Sequence, residues 1–391
     1  MTDAARLQFI VFFSVVVSAW VGMHAYVAWR LAAVAPRPAA IALWALLGAG
    51  ALLWPVVTYV TRQVTSEAPL AGLRQGLWTY FGLFSVAVVL VLARDALLGI
   101  GAALARALDA PVEPTKRRAF EVASAAVVAG ATGIVGVAGW RGATRLAPVV
   151  AVDVPIPGLD PRLDGLKIAQ ISDIHIGQPL TKSELAAIVA RTNEIGADLI
   201  AVTGDLVDGR VQVYADDTAP VGDLRAPLGV FFVTGNHEYY SGTKPWERLL
   251  KERGLDVLTN EHRVLTHNGA PFVLGGVTDY TAGRFVPEDA SSPARAFASA
   301  PEGLLRVLLA HQPKSVVEAA EQGVHLQLSG HTHGGQYWPF TTMIDWFHPV
   351  TSGLSRFRDT LVYVSRGTGV WGPRLRVGAP NEITALTLRA A

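Results

Sequence analysis

The chain has no cysteine. That excludes disulfide frameworks, thiolate metal sites and cysteine nucleophiles, and it leaves the redox compartment open. Charge is also scarce: Asp, Glu, Lys and Arg make up 17% of 391 residues, against about 25% in soluble domains. The deficit is uneven. Before Trp140 the chain is rich in Ala, Val, Leu and Trp, and after Val150 its composition is that of an ordinary globular protein. Two parts bathed in different solvents are expected. An excess of one sign is lacking too: 33 Lys and Arg stand against 32 Asp and Glu. No basic stripe interrupts that balance, so nucleic-acid binding is not expected.

What the first part does have is long uncharged runs: Leu7 to Trp29, Pro38 to Thr61, Gln75 to Ala93 and Val122 to Trp140. Each approaches or exceeds the ~20 residues that cross a hydrocarbon core as a helix, so four transmembrane α-helices are predicted, with Trp20, Trp29, Trp44, Trp54, Trp78 and Trp140 among them. Arg30, Arg37, Arg94, Arg106, Lys116, Arg117 and Arg118 fall on one side of these spans, and Arg6, Arg62, Arg74, Arg141 and Arg145 on the other. With the richer side cytoplasmic, everything after Arg141 is extracytoplasmic. Thr115 to Phe120, with Arg117-Arg118, resembles a twin-arginine export signal and points the same way, although Glu121 and Val122 depart from that pattern. Only His24 lies well inside a span, with Arg94 and Asp95 at an edge. Such sparse intramembrane charge suits anchoring better than transport.

Residues 147–165 read as a Pro-containing extended linker between a membrane domain (1–146) and a catalytic domain (166–391). Apolar runs then recur, each ending in polar residues: 167–171 before Asp173 and His175, 198–202 before Asp205, 229–233 before Asn236 and His237, 305–309 before His311, and 326–328 before His331 and His333. In open α/β sheets, strand ends of this kind converge on a ligand site. Helices are expected at 183–195, 246–253 and 313–322. Further strands at 272–276, 361–365 and 383–388 suggest a second sheet. The fold class expected is α/β, a two-sheet β-sandwich flanked by helices and preceded by the four transmembrane helices.

The polar tips supply oxygen and imidazole without thiolate, a mixture that suits Mn, Fe or Zn. The pairs Asp173-x-His175 and His331-x-His333 place both side chains on one face of an extended strand end, as chelation requires. Singly, each residue has an ordinary structural reading as a turn or core residue. Together, with half of the chain's 10 histidines in these blocks, they do not. His262, His267, His325 and His348 fall outside the blocks and are read as structural, and Glu238 is read as support for its turn.

Asp-x-His, Gly-Asp, Gly-Asn-His-Glu, a lone His and Gly-His-x-His, in this order from Leu166 to Leu388, resemble the calcineurin-like metallophosphoesterase superfamily. The likeness is nearest to its bacterial membrane-attached or exported branch, through 330–336 and 365–369. The resemblance implies the metallophosphoesterase fold and two divalent metal ions. One would be held by Asp173, His175, Asp205 and His333, the other by Asp205, Asn236, His311 and His331, with Asp205 bridging. It also implies in-line attack on phosphorus by a hydroxide between the metals. His237 would protonate the leaving oxygen or bind the phosphoryl group, and Asp208 would orient His237. Where the protein phosphatase branch has an arginine after this second aspartate, the chain has Gly209 and then Arg210, which favours a diester or pyrophosphate-type substrate, with Arg210 and Arg366 the cations within reach of the site.

The function expected is a membrane-anchored dimetal phosphodiesterase in the cytoplasmic membrane, acting on a phosphoester such as a phospholipid or lipid-linked headgroup. The alternatives are a lipid-linked pyrophosphatase or phosphomonoesterase, and a non-catalytic membrane sensor or transport protein. The aromatic run from Tyr337 to His348 either packs over the site or rests on the bilayer as a lip.

Overall fold

The computed structural model describes residues 3–63, 71–110, 113–177 and 180–391. The chain divides into two compact units, Met1–Ala138 and Gly139–Ala391.

The first unit is built from helices α1 (Asp3–Ala32), α2 (Arg37–Gln63), α3 (Ala71–Ala107) and α4 (Pro114–Thr144), the last of which runs on into the second unit. All four are long and apolar enough to cross a membrane. Large apolar side chains such as Phe13, Leu52, Leu97, Val127 and Ile134 are exposed on them, as expected where the surrounding solvent is lipid. α3 is 37 residues long, about 55 Å at helical rise, and so extends well past the uncharged run that suggested it. It continues through Arg94 and Asp95 because both are satisfied. Asp95 accepts from Tyr26 and from Arg30 (Nη2 to Oδ1, 2.6 Å), and Arg94 reaches Asp95 Oδ1 (3.0 Å), Ser124 Oγ (2.8 Å) and the Glu121 carbonyl (3.0 Å). His24 is buried, with its Nδ1 2.8 Å from the Trp20 carbonyl and its ring stacked 3.7 Å from Phe84.

The second unit contains two six-stranded sheets. The first runs β1 (Val149–Ile156), β12 (Ile383–Ala390), β2 (Lys167–Ile171), β3 (Leu199–Val202), β4 (Val230–Phe232) and β5 (Asp256–Val257). The second runs β10 (Gly353–Phe357), β11 (Thr360–Val364), β9 (Leu326–Ser329), β8 (Arg306–Leu309), β7 (Ala270–Gly276) and β6 (Glu261–His267). β2 to β5 are mutually parallel, as are β11, β9, β8 and β7.

Alternation along each strand divides the core into layers. Leu199 and Ala201 face the space between the sheets with Leu274, Leu309 and Leu328. Ile200 and Val202 face the opposite side, against Leu185 and Ile188 of helix α5 (Lys182–Asn193) and Trp246 of helix 243–252. Burial on both faces explains why these strands read as continuous apolar runs. α5 begins with a full capping box between Thr181 and Glu184.

Three details differ from the sequence reading. The strand at 383–390 belongs to the first sheet, between β1 and β2, rather than to the second. The five strands that end in polar tips are split between the sheets, three in one and two in the other. Pairing partners of short apolar strands are set by tertiary packing and leave no local signature. The segment read as a linker contains β1, parallel to β12.

Candidate active site

The tips of β2, β3 and β4 meet those of β8 and β9 along one edge of the sandwich. Below them, Gln170 ties the two sheets together, donating to Thr203 Oγ1 and to the Ser329 carbonyl, each at 2.9 Å. Past each strand end the backbone turns sharply. Asp173, His175, Asp205, His331 and His333 all have positive φ, between 51° and 71°, a region uncommon outside glycine but tolerated better by Asp, Asn and His than by most residues. The reversals aim these side chains inward. Close approach also fixes two motif glycines. A Cβ on Gly330 would lie 2.1 Å from Asp173 Oδ2, and one on Gly235 would lie 2.1 Å from Asp205 Oδ1.

Three groups of side chains converge: Asp173, His175 and His333; Asp205, His311 and His331; and His175, Asp208 and His237. The first two groups meet at Asp205, whose Oδ2 is 3.0 Å from His311 Nε2 and 3.9 Å from His175 Nε2. Within the groups, His175 Nε2 and His333 Nε2 are 3.1 Å apart, and His331 Nδ1 is 3.2 Å from His311 Nε2. Asn236 is buried beside them, and its Oδ1 has no hydrogen-bond partner. Asp208 Oδ1 holds two rings at once, His175 Nδ1 at 2.7 Å and His237 Nδ1 at 2.6 Å. The resemblance implies only its hold on His237; the grip on His175 is added by the structure.

Glu238 is fully buried at the start of helix 236–241. Its carboxylate accepts from the backbone N–H groups of Gly235 (2.6 Å), Leu206 (2.8 Å), Asp205 (3.0 Å) and Val207 (3.3 Å), so it shapes the loop that carries Asp205. Its role is the turn support read from the sequence. Trp246 holds the same loop further along, donating from Nε1 to the Gly209 carbonyl at 2.9 Å.

Electrostatics reflect this crowding. Burial pushes the Asp173 carboxyl up, and the same burial at Asp205 is outweighed by His311 and His237, which hold it well below the usual carboxylate range. Burial lowers the His237 imidazolium, yet Asp205 and Asp208 prevail and its pKa lies at about 9. Burial and the neighbouring His311 push His331 down to about 3. Glu238 is pushed up to about 7, by burial first and Asp205 second.

The donor set fits divalent cations. His311 Nδ1 is committed to the Thr203 carbonyl (2.8 Å) and His175 Nδ1 to Asp208, which puts the proton on Nδ1 and leaves each Nε2 lone pair facing inward, the tautomer a metal needs. Two inward-facing Nε2 lone pairs and the orphaned Asn236 amide oxygen, buried beside two carboxylates, are poor company for one another and good company for a cation. His333 is the exception. Its Nδ1 faces the donor-only guanidinium of buried Arg376 at 3.1 Å, so its ring must turn or shed the Nε2 proton to coordinate.

Of the cations considered from sequence, Arg210 is exposed and Arg366 Nη1 lies 3.4 Å from the buried carboxylate of Glu382. His262 and His325 serve the fold through bonds with Ala296 and Arg306. His348 packs its ring 5.4 Å from that of His331, nearer the site than a residue outside the blocks suggests. Arg376, which donates to carbonyls of Arg366, Gly369, Ala379 and His333, has no motif to announce it. The aromatic run is mixed. Tyr337 is buried, Trp338 half-buried, and Trp346 and Phe347 are 75% and 60% exposed. Tyr240 and Trp371 flank His237, with ring centroids at 5.2 and 6.0 Å.

The fold and this cluster of imidazoles and carboxylates define a metal-dependent phosphoesterase class, and residues 166–335 match the family model for calcineurin-like phosphoesterases. The chain belongs to that family. A transmembrane protein with metallophosphoesterase domain from Danio rerio is 34% identical over 66% of this chain and 61% of its own. An uncharacterized metallophosphoesterase of Helicobacter pylori (strain ATCC 700392 / 26695) is 37% identical over 64% of this chain and 66% of its own. The metallophosphoesterase YkuE of Bacillus subtilis (strain 168) is 32% identical over 58% of this chain and 80% of its own. The chain thus spans 61% of the length of the Danio rerio relative.

Proposed function

We propose that the protein is a membrane-anchored phosphohydrolase that uses two divalent cations, of Mn, Fe or Zn type, to cleave phosphodiesters outside the cytoplasmic membrane. Residues 1–146 anchor it, 147–165 lead the chain out of the anchor, and 166–391 hold the chemistry. The observation that carries the reading is the shared position of Asp205 between two inward-facing donor sets. Asp173, His175, Asp205 and His333 are assigned to one cation, and Asp205, Asn236, His311 and His331 to the other. When bound, such a pair supplies charge neutralisation on phosphoryl oxygens and activation of water. His237, kept protonated by Asp205 and Asp208, donates its proton to the leaving oxygen, while Asp208 fixes the ring orientation. Glu238 keeps the Asp205 loop in register.

Support for a diester comes from the cations: Arg366 is occupied by Glu382, so the second negative charge of a monoester meets less compensation. The exposed Trp346 and Phe347 favour a substrate at a lipid surface, such as a phospholipid or lipid-linked headgroup. The orientation rests on the basic residues of the facing helix ends and connections at 30–37 and 94–118.

The test is hydrolysis of bis-p-nitrophenyl phosphate and p-nitrophenyl phosphate by the full chain, stripped of metal and titrated with Mn, with protease access to the C-terminal half measured in spheroplasts. Metal-restored diester turnover and cleavage by external protease are expected. Preference for the monoester would replace the diester reading, and a protected C-terminal half would reverse the topology.

A further inference from the structure

The membrane unit carries a second polar centre. Asp95 of α3 binds Arg30 near the end of α1, and Arg94 binds Glu121 and Ser124 of α4, so the three helices are tied at one level. Beyond that level the helices are unequal. α1 ends at Ala32, whereas α3 continues to Ala107, overshooting by about 15 Å at helical rise. α4 enters from the same direction, starting at Pro114, and Arg118 donates to the Ala33 carbonyl at 2.8 Å.

Beside this overhang lies a half-open recess of about 1140 Å³. Its wall combines cationic groups (Arg30, Arg106, Lys116 and Arg117) with apolar Leu97 and Phe120, which are 68% and 60% exposed. The wall's acids are mostly engaged. Asp95 is taken by Tyr26, Arg30 and Arg94, and Glu121 Oε1 lies 3.2 Å from Arg117 Nε, leaving Asp109 as the third. Lys116 pairs with Glu113 at 3.6 Å and Arg117 with Glu121, but both pairs are exposed and open to exchange for a stronger anion. Arg106 is exposed and makes no ion pair among the described residues.

We propose that this recess binds the headgroup of an anionic phospholipid, its phosphate among Arg106, Lys116 and Arg117 and its acyl chains along Leu97 and Phe120. Basic recesses between transmembrane helices recognise headgroups of this charge. Helices that cross a bilayer also present such a recess to lipid before any soluble anion. The site depends on α1 to α4 spanning a membrane and is independent of the hydrolase reading.

The test uses the full chain in a zwitterionic detergent and the binding of a fluorescent phosphatidylglycerol. Unlabelled phosphatidylglycerol should compete at least about tenfold better than phosphatidylcholine, and inorganic phosphate should not compete. The triple variant R106A/K116A/R117A should lose affinity by about five-fold per removed cation, with turnover of a soluble diester unchanged. R106E, a single exposed change that the fold tolerates, should weaken binding on its own. Equal competition by phosphatidylcholine, effective competition by free phosphate, or unchanged affinity in R106E would each overturn the proposal.

Discussion

The two units bury ionisable groups by opposite rules. In the membrane unit, Arg30, Arg94 and Asp95 sit together with every strong donor aimed at an acceptor. In the second unit, two carboxylates, Asp173 and Asp205, share the same buried ground, and the buried Asn236 Oδ1 has no donor. Matched burial is a way of holding helices together where water is absent. Mismatched burial makes sense only with a further positive partner, and it is the physical mark that separates a ligand site from a structural network.

The sharpest break in this comparison is Asp205→Asn. It removes the carboxylate common to both donor sets, so metal-restored diester turnover should fall on the order of a thousandfold or more. Because His311 and His237 outweigh burial and hold that carboxylate well below its usual range, the metal-stripped melting temperature should fall too, while circular dichroism at low temperature stays close to that of the parent.

Asp208→Asn comes next. Removing the carboxylate that orients His175 and His237 should weaken metal affinity about 10- to 100-fold, measured by Mn titration. The same variant has a pH signature. Burial raises the Asp208 carboxyl, but His175 and His237 hold it well below its usual value, so its contribution is present above the unfolded pKa of about 3.9 and is lost as pH falls through the folded one. His237, at about 9, contributes fully below its unfolded pKa of about 6.5 and loses that contribution as pH rises through 9. Metal-stripped protein should therefore be most stable between about pH 4 and 6.5, and Asp208→Asn should flatten both limbs in denaturant titrations at fixed pH.

In the membrane unit, Asp95→Leu alone strands Arg30, while Arg94 keeps Ser124 and the Glu121 carbonyl, and should cost about 2 kcal/mol, less than a fully buried pair because Arg30 keeps part of its exposure. Pairing it with Arg30→Met should recover part of that loss. Unfolding in detergent decides between this and a network whose single and double variants behave alike. The smallest effect is expected at Trp346 and Phe347. Replacing both by Ser should leave turnover of a soluble diester intact and reduce activity on vesicles about three-fold, since exposed aromatics add modest interfacial affinity. Equal loss on both substrates would remove the lip.

Much of the site was legible because its residues come in short blocks. Asp173 and His175, or His331 and His333, are two positions apart just past a strand end, so each block brings both side chains to the same edge. Sharp turns with positive φ, rather than strand alternation, aim them, and His331 and His333 join different groups. The four long helices were legible for a similar reason, since the absence of charge is itself local. What the sequence did not disclose depends on distance. Asp95 meets Arg30 across 65 positions, Arg376 meets His333 across 43, and the assignment of β12 to the first sheet follows from pairing that no local pattern encodes. Asp208 fell between these cases: its neighbourhood with His237 was readable, and its grip on His175 was not.

The left-handed turns at Asp173, His175, Asp205, His331 and His333 bear on how this protein should be dissected. Alanine at such a position would be strained by its own backbone, so an alanine scan would report the reshaped turn and the missing ligand as one number. Asparagine tolerates that conformation and glycine adopts it freely. Substituting these two in parallel separates the cost of the path from the loss of the atom at its end.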